Sequence, residues 1–463
     1  MSDPLFWHRI QFAFTIVFHY LFPQLTMGLA LLLVILWRRA HRSEDAIDRE
    51  TARFWTKVFG LNFALGVVTG IPMEFQLAAN WGAFARWSGG VVGQTLAMEG
   101  LFAFMLESAF LGLLVFGEKR LSKRMHFAAS CALFVGSWLS GYFIVTTNAF
   151  LQHPVGHAFA ANGRLRMASF PTFLFNPWGL VQYAHTMVAS VVTASFVVAA
   201  ISALWLLRAS TAAEDSRARP HAERSLVLAA RVGLIASILV AFPTGDLHAK
   251  MVAKHQPATL AAMEGRFESG AAAPLALIGQ PNVKEKRLDN PIVLPGALSF
   301  LAYGTFHADV PGLDAFPENE RPTNIEALYY AFHLMAGIGT LQIGLFALTN
   351  LLLWRKRLFQ TTSILWAHLL AFPAPYIATT AGWMTAELGR QPWIVYGLFR
   401  TADGASPKVH AGSTLFTLLG FCGLYFVLGL AFLYLLFKMI NHGPVVPAAS
   451  RGAETIAPEV PHA

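Results

Sequence analysis

Chemistry in this chain concentrates where long apolar runs are interrupted by groups that are costly to bury. The stretch Gly382-Trp383-Met384-Thr385-Ala386-Glu387-Leu388-Gly389-Arg390-Gln391-Pro392-Trp393 ends one such run on a carboxylate and a guanidinium. At about 100° per helical residue, Trp383, Glu387 and Arg390 share one stripe, and Pro392 stops the helix beyond them. A helix-end ion pair at a membrane surface accounts for this pattern; so does a carboxylate aimed at a cofactor. Glu99 and Glu107 lie eight residues apart in another run, about 12 Å along a helix and about 80° around it. Carboxylates in lipid read as a proton path or a metal ligand, or as a protonated structural pair. Ser140 and Asn148 either extend such a path or bind neighbouring helices. His19, between Phe18 and Tyr20, is either satisfied by a backbone carbonyl or a ligand. His185 lies near the start of a further run, about one turn inside the outer membrane edge, and the segment Phe332–Gly337 offers His333 and Met335. One His and one Met on separate helices form the donor set of a low-spin haem. His333 and Met335 point about 200° apart, so only one of them can face a given haem.

The elements that must position these groups follow from composition. Of 463 residues, 55% are hydrophobic and 13% charged, with a mean hydropathy of +0.50. A soluble domain carries roughly 25% charged residues, so the fold class is all-α, a polytopic membrane helical bundle. Apolar runs long enough to cross a bilayer occur at about Phe12–Trp37, Trp55–Ala79, Thr95–Phe116, Phe127–Phe150, Leu180–Leu207, Leu226–Phe242, Glu326–Trp354, Ile364–Trp383 and Thr414–Met439. That makes about nine transmembrane helices, the sixth interrupted by Arg231, which must snorkel or find a partner.

The basic residues sort by loop. Arg38, Arg39, Arg42, Arg49, Arg53 and Lys57 follow the first run, Lys119, Arg120, Lys123 and Arg124 the third, Arg208, Arg217, Arg219 and Arg224 the fifth, and Arg355, Lys356 and Arg357 the seventh. These ends face the cytoplasm by the positive-inside rule, which places the N-terminus outside and the C-terminus inside. The net charge of +8 is then a matter of topology, and no nucleic-acid partner is needed. No cleavable signal peptide is evident. Cys131 and Cys422 both lie in apolar runs as small hydrophobes, and no C-x-x-C-H run is present, so any haem is held non-covalently. Thr244 to Thr323 is too long for a connector and reads as a functional outward loop, with a short amphipathic helix from Leu260 to Phe267. The Pro/Ala-rich tail from Asn441 reads as disordered.

The motif GWxxxExGRQPW from Gly382 to Trp393, the Asn62–Trp81 stretch with Met73-Glu74-Phe75-Gln76, the pair Glu99 and Glu107 in E-G-(x)6-E, and Asn148 with Gln152-His153-Pro154 resemble subunit I of cytochrome bd-type quinol oxidases. The likeness runs over nearly the whole chain and implies a subunit of a respiratory enzyme that oxidises membrane quinol, ubiquinol or menaquinol, and reduces O2 to water in the bacterial cell (inner) membrane. It implies three haems. His185 and Met335 resemble the axial ligands of a low-spin haem b, His19 the ligand of a high-spin haem b with Glu99 beside its iron, and Glu387 the ligand of the third, haem d or a third haem b. By the same likeness Trp383 lies between haems, Arg390 binds a propionate, and Glu107 with Ser108 and Ser140 carries protons inward from the cytoplasm. Gln256 and Glu264 resemble quinol-binding loop residues.

The resemblance divides the chain into helices one to six (1–243), the quinol loop (244–325), helices seven to nine (326–440) and the tail (441–463). It implies a membrane subunit II and a small single-helix subunit as companions in the lipid bilayer. Two positions depart from the pattern: His333 stands where well-known members have Arg, and Thr259 where many have Lys. The compact loop resembles the short-loop, cyanide-insensitive-type subgroup. Two competing readings are a membrane cytochrome b that carries electrons without reducing oxygen, and a proton-coupled transporter using Glu99 and Glu107.

Overall fold

The computed structural model describes residues 3–209 and 217–444. Among them, nine helical runs are long and apolar enough to cross a membrane. The expected tail lies almost wholly outside the described residues.

The first two runs are α1 (Pro4–Ser43) and α2 (Ala46–Ala79). Asp3 caps α1 by accepting from the Leu5 amide at 3.0 Å, with Pro4 preset for the first turn. The two helices lie against each other along a polar stripe spaced by sevens on α2: Asn62, Thr69 and Gln76 are 1%, 0% and 3% exposed. Such amide and hydroxyl groups supply the interhelical hydrogen bonds that hold helices together where lipid removes the hydrophobic drive.

The third run is α3 (Gly82–Met98) joined to α4 (Met105–Phe116) through a π-helical turn, Glu99–Phe104. Hydropathy placed its start at Thr95; the helix begins earlier because Phe84, Val91 and Val92 bury their side chains. Then come α5 (Lys123–Gln152), the short α6 (Phe170–Leu174) and α7 (Pro177–Ala209). α7 is the central helix, with buried Phe196, Val198 and Trp205 beside hydroxyls that return to their own backbone, as Ser195 does to the Val191 carbonyl at 2.8 Å.

The sixth run extends well past Phe242. α8 (Arg219–Leu239) passes through a kinked turn at Phe242-Pro243 into α9 (Asp246–His255). Arg231 faces outward from the bundle. α10 (Pro257–Met263) follows, and every residue from Ala258 to Met263 is buried. It is therefore an internal helix and not the amphipathic surface helix read from the sequence: α9 and the two helices after the loop cover both of its faces. The rest of the loop is a hairpin of Leu275–Asn282 with Arg287–Leu294, then α11 (Ala297–Tyr303). The chain returns through α12 (Ile325–Trp354), α13 (Thr362–Leu370), α14 (Ala374–Gly389) and α15 (Ala411–His442).

The main core fills the half of the bundle at the arginine-rich end, with Leu32, Leu33, Trp37, Trp55 and Phe59 each at most 1% exposed. There Asp48, 5% exposed, is neutralised by Arg39 at 2.9 Å and Arg224 at 2.7 Å.

Candidate haem and quinol sites

Three candidate ligands share one kind of seat. His185 on α7 has its Nδ1 3.3 Å from Thr244 Oγ1 in the kinked turn, which leaves Nε2 as the nitrogen free to coordinate. His19 on α1 has Nδ1 3.1 Å from Thr69 Oγ1 on α2. Met335 on α12 lies against α14. Each sits over a glycine: a Cβ at Gly245 would approach the His185 ring to 3.5 Å, one at Gly70 the His19 ring to 3.0 Å, and one at Gly382 the Met335 sulfur to 2.7 Å. Gly382 of the C-terminal motif thus leaves room for the thioether of another helix. His19, His185, Met335, Glu99 and Glu387 all keep part of their surface uncovered by protein. Neutral imidazole, thioether and carboxylate donors with oriented second partners suit haem irons. Among the described residues no group of three or more His, Cys, Asp or Glu could hold a bare metal ion.

Glu387 is held by several side chains. Arg390, 5% exposed, pairs with its Oε2 and also donates to the Ile394 carbonyl. Asn148 Nδ2 donates to Glu387 Oε1 at 2.8 Å, and Gln182 Nε2 donates to Asn148 Oδ1 at 2.8 Å. Arg390 thus pairs with Glu387, one of the two arrangements the stripe allows, while its Nε remains buried without a partner. Trp383 meets the Tyr20 ring edge-on at 5.7 Å, which brings the C-terminal motif beside the His19 helix.

The two carboxylates of the third run have separate partners. Ser140 donates to Glu99 Oε1 at 3.2 Å, whereas Glu107 accepts from Ser137 at 2.5 Å. Of the residues that the resemblance groups with Glu107 on a proton path, Ser140 hydrogen-bonds Glu99, and Ser108 Oγ is buried without a partner. Glu99 itself sits in the π-helical turn, a distortion frequent at functional positions.

In the loop, Gln256 and Glu264 bracket α10. Gln256, 1% exposed, donates through Nε2 to the carbonyl and the Oε1 of Gln152, at 2.8 and 2.9 Å. Gln152 in turn donates to the Ala386 carbonyl at 3.2 Å, beside Glu387. Glu264 is 5% exposed with Oε2 unpartnered, and burial pushes its carboxyl up to about 8. The Tyr329 hydroxyl is also buried without a partner.

The two departures have local roles. Thr259 donates to the Gly389 carbonyl at 2.8 Å, fastening α10 to α14. His333 lies between the Tyr329 and Ala276 carbonyls at 2.9 and 3.0 Å, tying α12 to the loop hairpin. Sequence reasoning missed Thr69, Thr244 and Ser137, each of which contacts a singled-out residue. It also missed a ring series in which His185 meets His248 at 5.6 Å, His248 meets Trp178 at 5.8 Å, and His153 lies 4.1 Å from His255. The spacing by sevens of Asn62, Thr69 and Gln76 was the available signal for Thr69.

Comparison with known proteins agrees in extent and fold. The family described as cytochrome bd terminal oxidase subunit I matches residues 7–444. The chain is 35% identical to the cytochrome bd ubiquinol oxidase subunit 1 of Bacillus subtilis (strain 168), covering 94% of this chain and 93% of that one. It is 32% identical to the cytochrome bd-II ubiquinol oxidase subunit 1 of Escherichia coli (strain K12), covering 96% and 98%. The bd oxidase structure from Geobacillus thermodenitrificans superposes with a TM-score of 0.87 at 32% identity, over 96% of this chain and 99% of that chain. With its nine membrane-length helices and this likeness along nearly its full length, the chain belongs to the cytochrome bd terminal oxidase subunit I family.

Proposed function

We propose that this chain is the haem-bearing subunit of a terminal oxidase of the bacterial cell membrane that oxidises quinol and reduces O2 to water, drawing protons from the cytoplasm and so generating proton motive force. Family membership supports the reaction class, and the donor set supports the detail. His185 and Met335 would hold a low-spin haem b, His19 a high-spin haem b with Glu99 beside it, and Glu387 a third group, haem d or b, with Arg390 toward a propionate and Trp383 between the haems. Bound haems supply one-electron transfer and oxygen chemistry, while the protein sets their position and potential.

The side chains do the rest. Quinol gives up two protons with its electrons, and Glu264, held without a partner for Oε2, is the base placed to accept one. Gln256, whose two amide hydrogens both go to Gln152, positions α10 at the mouth of the loop site. Glu107 with Ser137 and Ser108, then Glu99 with Ser140, can hold protons in transit. On this reading the N-terminus faces outward, 244–325 forms the quinol loop between the helix groups 1–243 and 326–440, and a membrane subunit II with a small single-helix subunit covers part of the apolar flank. α15 supports that companion, since Phe416, Phe426 and Tyr434 are 79%, 67% and 66% exposed.

The observation that carries the reading is the unpartnered buried Glu264 on a helix whose other end is hydrogen-bonded, through Gln152, to the backbone beside Glu387. Reduced-minus-oxidised spectra of the purified membrane complex, with quinol-dependent oxygen uptake, test it. Haem bands with rapid oxygen uptake are expected. Haem bands without uptake would leave an electron carrier, and no haem bands would leave a transporter.

A further inference from the structure

The seam between α1 and α2 changes character at His19. On the arginine-rich side it is closed: Asn62 Nδ2 donates to the Phe22 carbonyl at 2.7 Å and to Thr26 Oγ1 at 2.8 Å, and Thr26 returns to Phe22. On the arginine-poor side it is a ladder with open valences. His8, Gln11, Thr15 and His19 fall within about 80° on α1, spanning about 16 Å of helix. Opposite them are Thr69 and Gln76 on α2 and Asn80 capping its end.

Asn80 Nδ2 donates to His8 Nδ1 at 3.1 Å and to Gln11 Oε1 at 2.9 Å. Thr15 donates to Gln76 Oε1 at 2.9 Å, and one turn on, about 6 Å, Thr69 meets His19. His8, Gln11 and Thr15 are at most 1% exposed, and Gln76 is 3%. Yet Gln76 Nε2, a donor, is buried without a protein partner, and His8 Nε2, which carries the proton when Nδ1 accepts, has only the Val409 backbone beside it. Buried donors at this density are satisfied by water. The end of the ladder at His8 abuts a surface cavity of about 420 Å³, lined also by Asp3, Asp403, Ser406 and His410.

We propose that the arginine-poor half of this seam is a water passage joining that face to the pocket of His19, through which product water leaves. The inference rests on the reading that His19 faces a haem at the oxygen-reducing end of the protein. Its chemistry differs from that of the Glu107 and Glu99 line. Between His8 and His19 the rungs are amides and hydroxyls, which do not take up a proton near neutral pH. Glu74, on the same helix, points about 200° away from Gln76 and is exposed on the other side. No fixed carboxylate stands between His8 and His19 to hold a proton in transit, unlike the line of Glu107 and Glu99.

Substituted-cysteine labelling of the assembled complex tests this without reference to turnover. In a background with Cys131 and Cys422 replaced by alanine, Asn80→Cys, Gln76→Cys and Thr15→Cys are placed at three depths, with Leu32→Cys, at 0% exposure, as the control. A small membrane-impermeant cationic methanethiosulfonate is added to intact spheroplasts, and haem spectra confirm assembly of each variant. Thiol modification follows access, so the three ladder cysteines should react about tenfold or more faster than the control. Equal rates at ladder and control positions, or labelling only in inside-out vesicles, would overturn the passage. Three depths keep the test decisive if one variant fails to assemble. Loss of haem bands in the unsubstituted complex would instead sink the functional reading, and the labelling rates are independent of that.

Discussion

Two carboxylates in this molecule are treated in opposite ways. Glu387, at the end of α14, is held by Arg390, Asn148 and Gln152. Glu264, at the end of α10, is more deeply covered and has an oxygen with no partner at all. A buried charge persists only when paired, and an unpaired carboxyl stays neutral until its pH range is reached. The first arrangement fixes a group in place; the second keeps one ready to exchange a proton. The helical frame carrying the proposed ligands is thus built for geometry, and the loop for turnover.

Substitutions in the two regions should separate accordingly. The largest effect is expected from Met335→Leu, which should abolish the low-spin haem signal while the protein still inserts; an unchanged reduced-minus-oxidised spectrum would refute the ligand. Next, Glu264→Gln should slow quinol-dependent oxygen uptake by a factor on the order of 10² to 10⁴, the usual worth of a general base, with haem content intact. The sign of its pH dependence is fixed by burial. A carboxyl raised to about 8 is protonated below that pH, so the accepting form grows as pH rises, and uptake should climb through pH 7 to 8. The Gln variant should lose that limb, and a limb that survives would assign it elsewhere. Gln152→Leu cuts the link from Gln256 toward Glu387 and should disturb both turnover and the spectrum; a change confined to one of them would show the regions are uncoupled. Thr259→Val removes one hydrogen bond between α10 and α14, worth about 1 kcal/mol, and should lower thermal stability slightly with little change in haem bands.

The helices were legible because a bilayer demands long apolar runs, and all nine were found by that demand alone. Their ends were not. The sixth run bends at Phe242-Pro243 and continues to His255, since polar Asp246 and Lys250 pair with each other at 2.7 Å along α9 and hydropathy registers only their charge. α10 looked amphipathic because Glu264 and Arg266 follow its apolar residues, but tertiary packing buries that end too. In the candidate sites, the stripe of Trp383, Glu387 and Arg390 could be read from helical periodicity, and the ion pair followed. The serine partners could not, since Ser137 and Ser140 lie about one turn apart on the same face of α5, and only the axial register of that helix against the third run decides which meets Glu107 and which Glu99.

The glycine beneath Met335 has a practical consequence for protein engineering. Alanine at 382 would set a methyl carbon 2.7 Å from the sulfur, and because methionine is pliable the chain can yield there at small cost to folding. The sulfur would then rest in the wrong place. A variant can retain every proposed donor atom and still lose the low-spin signal, so loss of that signal in an otherwise sound mutant points first to the floor beneath the proposed ligand and only then to the ligand itself.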